Sequence, residues 1–327
     1  MATIDVADHF PFALSELDLH RLQFARFYTE TSDRYVAHFG HGDAEIFQGD
    51  DLAYDKDGNL TGGTITSIQI QHHGDIDATM NGLAISAVAL QDASETFRFS
   101  DDRQLFATAF HGDDTLNGGS AGDLLQGFAG NDTLAGHGGA DLLEGGNGKD
   151  TLAGGTGDDL LIGGNGRDTL SGGNDADHLF GGAGADMLDG GRGNDHLSGG
   201  SGNDVLDGGL GDNVLHGGSG ADTFVFDIGV GAASDNLIPD FSLRQGDMLE
   251  LKTGAGVAPL PTVAGGTLDP TAFHIGAHAT DADQRVIYNA HTGSLSFDGD
   301  GSGSEAAIQI GMLDSHLHLT AADFLVA

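Results

Sequence analysis

Gly145-Gly146-Asn147-Gly148-Lys149-Asp150-Thr151-Leu152-Ala153 is one of thirteen consecutive nine-residue units that run from Ala109 to Val225 without an insertion. The unit reads G-G-x-G-x-D-x-Leu-x. Its sixth position is Asp114, Asp123, Asp132, Asp141, Asp150, Asp159, Asp168, Asp177, Asp186, Asp195 and Asp204, then Asn213, then Asp222. Its eighth position is Leu from Leu116 to Leu215 and Phe224 in the last unit. Glycines let the backbone take positive φ and leave no Cβ in the way, so the first six residues are expected to turn sharply. The three that follow, such as Thr151-Leu152-Ala153, are expected to form a very short strand whose middle side chain faces inward and whose flanks face outward.

Two units then make one flattened coil. Stacked coils give a parallel β-roll with Leu inside and two edges lined by aspartate carboxylates and turn carbonyls. Such edges suit calcium, a hard cation that takes about 6–8 oxygen ligands at about 2.3–2.6 Å. One turn cannot supply that many oxygens, but two stacked turns can, so each ion is expected between turns two units apart. All twelve sixth-position aspartates, Asp114 through Asp222, are therefore expected metal ligands, and Asn213 marks the weak site. The unit resembles the calcium-binding nonapeptide repeat of RTX proteins. A disordered acidic linker shares the Gly- and Asp-rich composition, but it would not hold Asp and Leu in register through so many units.

Composition narrows the function. Fifty acids against twelve bases give a net charge of −38, which argues against nucleic acid and anionic membranes as electrostatic partners. One buried Leu per nine Gly-rich residues is too little apolar area to order the chain unaided, so calcium binding and folding are expected to be one equilibrium. No cysteine is present, which rules out disulfides and thiol catalysis. No run of about 18 apolar residues could serve as a transmembrane segment. Met1 to Leu14 has neither a basic start nor an unbroken apolar stretch, so a cleaved signal peptide is not expected. An extracellular location is expected nonetheless, because calcium modules outside the cell bind at about 10⁻⁴–10⁻³ M, far above cytosolic supply.

The C-terminal third carries a second resemblance. Ala221-Asp222-Thr223-Phe224-Val225-Phe226, Ile238-Pro239-Asp240-Phe241, Asp283 to Asn289, Gly293 to Gly303 and Leu319 to Ala327 resemble the end of serralysin-type and other RTX proteins exported through a one-step type I channel. The resemblance implies an uncleaved C-terminal export signal, Asp323 followed by Phe324, Leu325 and Val326, and hence the type I secretion apparatus as a partner. The same segment has a plain physical task, since the last coil of a repeat array needs a cap; Phe224, Val225 and Phe226 look like its first residues. Asp298-x-Asp300-x-Ser302-Gly303 imitates the start of an EF-hand loop, but position twelve is Gln309 and the flanks read as strands, so a hairpin turn is expected. Asp55-Lys56-Asp57-Gly58-Asn59 reads as another turn.

The expected fold class is all-β: a small N-terminal β domain (1–108), a parallel β-roll (109–225) and a C-terminal β cap with the export signal (226–327). Arg34 to Phe39, Ala44 to Phe47 and Gly63 to Ile70 alternate apolar and polar residues in the N-terminal part, as antiparallel strands do. Asp101 to Phe110 reads as a helical turn leading into the roll. No H-E-x-x-H, G-x-S-x-G or P-loop occurs, so zinc-protease, lipase and nucleotide-binding chemistry lack their residues. The reading is a secreted calcium-binding protein without enzymatic activity, acting at a cell surface or extracellular polysaccharide, in matrix or adhesion. Two alternatives use the N-terminal part: a polysaccharide-acting enzyme with Asp43 and Glu45 as its carboxylates, and a metal or haem scavenger using Tyr54 or His38, His41, Asp43, His72 and His73. His137, His178, His196 and His216 occupy differing slots of the repeat and are not expected to line up as one site.

Overall fold

The computed structural model describes residues 3–6, 27–31, 34–40, 43–54, 60–72, 75–86, 111–228, 235–253, 259–301 and 306–327. The chain divides into two compact units, Met1–Gly155 and Thr156–Ala327.

The first unit holds β1 (Thr3–Val6), β2 (Phe27–Thr31), β3 (Arg34–Gly40), β4 (Asp43–Tyr54), β5 (Leu60–His72), β6 (Asp75–Ser86), β7 (Thr115–Asn117), β8 (Leu124–Gln126), β9 (Thr133–Gly138), β10 (Leu142–Asn147) and β11 (Thr151–Thr156). Strands β2 to β6 form the antiparallel meander that the alternating pattern requires. Its described core is Ile46, Phe47, Leu52, Ile65 and Ile68. The link to the repeat is β1, which pairs antiparallel with β6 and parallel with β7, setting Ile4 opposite Leu116. The N-terminal strand therefore adds a rung to the stack ahead of the first nonad. The turn expected at Asp55 to Asn59 and the helical turn expected at Asp101 to Phe110 lie outside the described residues.

The second unit holds β12 (Leu160–Asn165), β13 (Thr169–Asn174), β14 (His178–Ala183), β15 (Met187–Arg192), β16 (His196–Ser201), β17 (Val205–Asp207), β18 (Val214–Ser219), β19 (Thr223–Asp227), β20 (Asn236–Leu237), β21 (Met248–Lys252), β22 (Phe273–Ile275), β23 (Val286–Tyr288), β24 (Ser294–Phe297), β25 (Ile308–Met312) and β26 (Phe324–Val326). Successive nonads alternate between two parallel sheets. One runs β13-β15-β17-β19-β21-β26, and the other β12-β14-β16-β18-β20-β25 before turning antiparallel through β24 and β23. In both units the repeat is thus a parallel β-solenoid with two nonads per turn and each eighth-position Leu buried against the next.

Most nonad strands are longer than the expected three residues. β14 runs from His178 to Ala183 because the second glycine of the nonad and the residue after it also pair in register, Gly164 with Gly182 and Gly182 with Gly200. The second and fourth positions are left-handed, and at the fourth the preceding coil leaves no room: a Cβ on Gly184 would lie 1.3 Å from the Gly166 carbonyl oxygen. Phe128 (φ 67°) and His137 (φ 72°) at the second position and Asp175 (φ 76°) at the fourth are held in the same left-handed conformation without being glycine. Asp175 gains a bond there, its Oδ2 accepting the Gly157 N–H at 3.2 Å.

The stacking continues past Val225, beyond the last nonad. β21 pairs parallel with β19, β20 with β18, and β26 with β21, so that Phe324 packs fully buried as the next apolar rung after Leu249. In β19, Phe224, Val225 and Phe226 are all buried, unlike earlier nonad strands. The hairpin expected around residue 300 forms from β24 and β25, with Phe297 opposite Ile308.

Candidate metal sites along the edges of the roll

Each edge of the roll is built by one recurring bond. The sixth-position carboxylate reaches back one coil and accepts, through Oδ1, the backbone N–H of the sixth residue eighteen positions earlier. In the first unit Asp132, Asp141 and Asp150 bond to Asp114, Asp123 and Asp132 at 2.7–2.8 Å. In the second, Asp177, Asp186, Asp195, Asp204 and Asp222 do the same to Asp159, Asp168, Asp177, Asp186 and Asp204 at 2.8–3.0 Å. All twelve expected ligands, Asp114, Asp123, Asp132, Asp141, Asp150, Asp159, Asp168, Asp177, Asp186, Asp195, Asp204 and Asp222, are buried, as is Asn213.

The second carboxylate oxygen differs. In Asp132, Asp177, Asp186, Asp195, Asp204 and Asp222, Oδ2 is buried and accepts no hydrogen bond. An anionic oxygen removed from water without a donor is costly unless a cation meets it. The first glycine of the unit shapes its surroundings: a Cβ on Gly190 would lie 2.5 Å from Asp195 Oδ2 and 2.8 Å from the Gly208 carbonyl oxygen. Gly127 has the same relation to Asp132 Oδ2 and the Gly145 carbonyl, at 2.4 and 2.7 Å. Any other residue at the first position would push apart a carboxylate and a carbonyl that now converge. Burial, the largest cause, pushes Asp132 and Asp177 up to about 7 and Asp204 to about 6, and it also raises Asp150, Asp186, Asp195 and Asp222. The donor set of buried carboxylate and backbone carbonyl oxygens fits a hard divalent cation. Because half of this set is backbone, no group of three or more His, Asp or Glu side chains forms a metal cluster among the described residues.

Asn213 departs from its row by one atom. Its Oδ1 accepts the Asp195 N–H at 2.8 Å, as an aspartate would. Its Nδ2, however, stands where the other units present Oδ2, 2.6 Å from the Cβ position of Gly208, and donates to Asn236 Oδ1 at 2.8 Å. A donor nitrogen already satisfied by an amide oxygen offers a cation nothing.

The sequence reading missed the rungs beyond the nonads. Asp247 is buried and continues one row, with Oδ1 accepting from Asp222 and Oδ2 from Ser242. Asn236 continues the other. The signal was present as Asp247-Met248-Leu249 and Asn236-Leu237-Ile238, each a sixth-to-eighth-position triplet, but a loop moves it off the nine-residue spacing. Asp240 and Gln245 close the last turn by bonding the N–H groups of Gly217, Gly218 and Gly220. A further ladder was also missed: fifth-position Asn131, Asn194 and Asn203 accept backbone N–H groups from Lys149, Asp212 and Ala221.

One expectation is corrected. His178 and His196 both occupy the seventh position, two units apart, so they stand in register on β14 and β16. His137 and His216 sit in other slots. Of the N-terminal candidates, His41 and His73 lie outside the described residues. His38, Asp43, Glu45, Tyr54 and His72 lie on β3, β4 and β5, and their side chains are outside those described. Among the described residues no helix is long and apolar enough to cross a membrane.

The family model described as the RTX calcium-binding nonapeptide repeat matches four times, at residues 110–143, 144–179, 162–197 and 189–224. Among solved structures, the extracellular lipase LipA from Serratia marcescens is similar at 18% identity over 66% of this chain and 38% of the lipase, with a TM-score of 0.25. The AlgE6R3 subunit of the Azotobacter vinelandii mannuronan C5-epimerase is similar at 23% identity over 50% of this chain and 80% of that subunit, with a TM-score of 0.21. The chain thus spans well under half of the lipase's length. No curated protein sequence matches it.

Proposed function

We propose that this protein, whose repeat is an RTX calcium-binding roll, is a secreted, non-enzymatic module that calcium orders after export, with Asp114 through Asp222 of the sixth position holding the ions. The observation that carries the reading is the buried Oδ2 of Asp132, Asp177, Asp186, Asp195, Asp204 and Asp222, which meets no hydrogen-bond donor. Bound calcium supplies the missing positive charge. The chain itself supplies the carboxylates, the converging glycine carbonyls and the N–H bond that fixes each Oδ1. With a net charge of −38 and a thin Leu core, the stack gains most of its stability only when the ions arrive. Many weak sites acting together drive folding strongly at millimolar calcium and hardly at all in a cytosol.

That dependence suits export of an unfolded chain. The terminal segment resembling a type I export signal would be readable only before folding, since in the folded protein Phe324 is buried and β26 pairs with β21. Once outside, the roll would give a rigid, acidic surface for a role at the cell surface or in matrix. Far-ultraviolet circular dichroism of the protein in chelator and then in rising calcium should move from coil to β towards millimolar calcium. An unchanged β spectrum in excess chelator would contradict the calcium-ordering reading. For export, removal of residues 319–327 should leave the protein inside the producing cell, and its appearance in the medium at the normal level without lysis would overturn that part.

A further inference from the structure

The nonad puts its seventh residue on the outward face of a strand and repeats that face every eighteen residues within a sheet. On β14 and β16 this sets His178 against His196, both exposed, with ring centroids 5.0 Å apart and planes inclined by 16°. The column is closed on either side by apolar residues, Leu160 in register with His178 and Val214 in register with His196. Phe180, two residues beyond His178, is 42% exposed.

We propose that His178 and His196 form a surface site for a transition-metal ion of the zinc, copper or nickel class, separate from the calcium rows. Imidazole nitrogen is a ligand that these metals favour, whereas calcium takes oxygen. The parallel register fixes the two side chains on neighbouring strands, so neither has to be recruited from a distant loop. Nitrogens on rings this close become neighbouring ligands of one ion after a small rotation of the exposed side chains, and exposed rotamers rearrange freely. The strongly negative chain raises the local concentration of any cation. No third His, Asp or Glu joins the pair among the described residues, so water or a ligand from solution completes the coordination. The inference rests on strand register and imidazole chemistry, and it stands apart from the calcium assignment.

The test uses the full chain saturated with calcium, so that the carboxylate rows are already occupied. Nickel(II) and zinc(II) are each titrated in by calorimetry, and histidine ring signals are followed by NMR as paramagnetic nickel is added. The expected result is one strong ion per chain with selective broadening of two rings. Affinity should fall at least about tenfold in His178→Asn and in His196→Asn, the cost typical of disturbing even an outer partner of a metal site. His216→Asn, whose ring occupies another slot, should bind as the parent does. Both residues are exposed, so the variants should keep the calcium-loaded circular dichroism spectrum. No uptake of either metal by the calcium-saturated protein, or uptake unaltered in the double variant, would overturn the proposal.

Discussion

In the second unit the two edges of the roll end differently. One row runs through Asp186, Asp204 and Asp222 to Asp247 and stays anionic to the last coil. The other runs through Asp177 and Asp195 to Asn213 and Asn236 and ends in two amides that bond each other. From Asp177 to Asn213 in one row and from Asp186 to Asp247 in the other, each of these side chains accepts a backbone N–H through Oδ1. What separates them is the second atom at the Asn213 rung: Oδ2 of Asp204 and Asp222, like that of Asp177 and Asp195, is buried without a donor, whereas Asn213 presents a nitrogen with an acceptor. A rung with a buried oxygen that lacks a donor and a rung with a satisfied amide nitrogen therefore share one fold, and the difference rests on a single side-chain atom.

The largest effect that could break this comparison is protonation. Asp132 and Asp177 are pushed up to about 7 and Asp204 to about 6, from an ordinary value of 3.8. A carboxyl whose folded value is raised adds stability that is complete below its unfolded value and is lost as pH rises through the folded one. The metal-free roll should therefore gain β structure as pH falls from about 7 towards 4, where protons stand in for calcium. Circular dichroism in chelator across that range checks this; a metal-free chain that loses β structure on acidification would contradict it. The Asn213 rung carries no proton to gain and should contribute nothing to the change.

Next come two opposed substitutions. Asp177→Asn should give an interior rung the character of Asn213 and weaken calcium-driven folding by at least about tenfold in the calcium concentration required for the local site. Asn213→Asp sets a carboxylate against Asn236 Oδ1, so that variant should be less stable than the parent in chelator and take up one more ion in calcium. Equilibrium dialysis and thermal melts with and without calcium read both. Smallest is His137→Gly, which relieves a left-handed, exposed residue and should add about 1 kcal/mol. The gain should be equal with calcium and without, which separates backbone strain from the metal.

The roll was legible because its chemistry is periodic: Asp at the sixth position and Leu at the eighth announce both edge and core. Legibility failed where the period breaks or doubles. Asp247 follows Asp222 by twenty-five residues and Asn236 follows Asn213 by twenty-three, because loops intervene before the chain rejoins the stack. His178 and His196 align only when every second nonad is compared, since neighbouring nonads lie in different sheets. That Asn213 breaks the acidic row was readable, but its partner Asn236 was not. That contact depends on a strand of two residues, β20, which no propensity marks.

The most direct test of the calcium assignment is a crystal structure of the calcium-loaded protein with anomalous scattering measured at a wavelength where calcium contributes. Peaks should lie about 2.3–2.6 Å from the Oδ2 atoms of Asp177, Asp186, Asp195 and Asp204, with none bound at Asn213. The absence of peaks along the aspartate rows, or a fully occupied ion coordinated by Asn213, would contradict it.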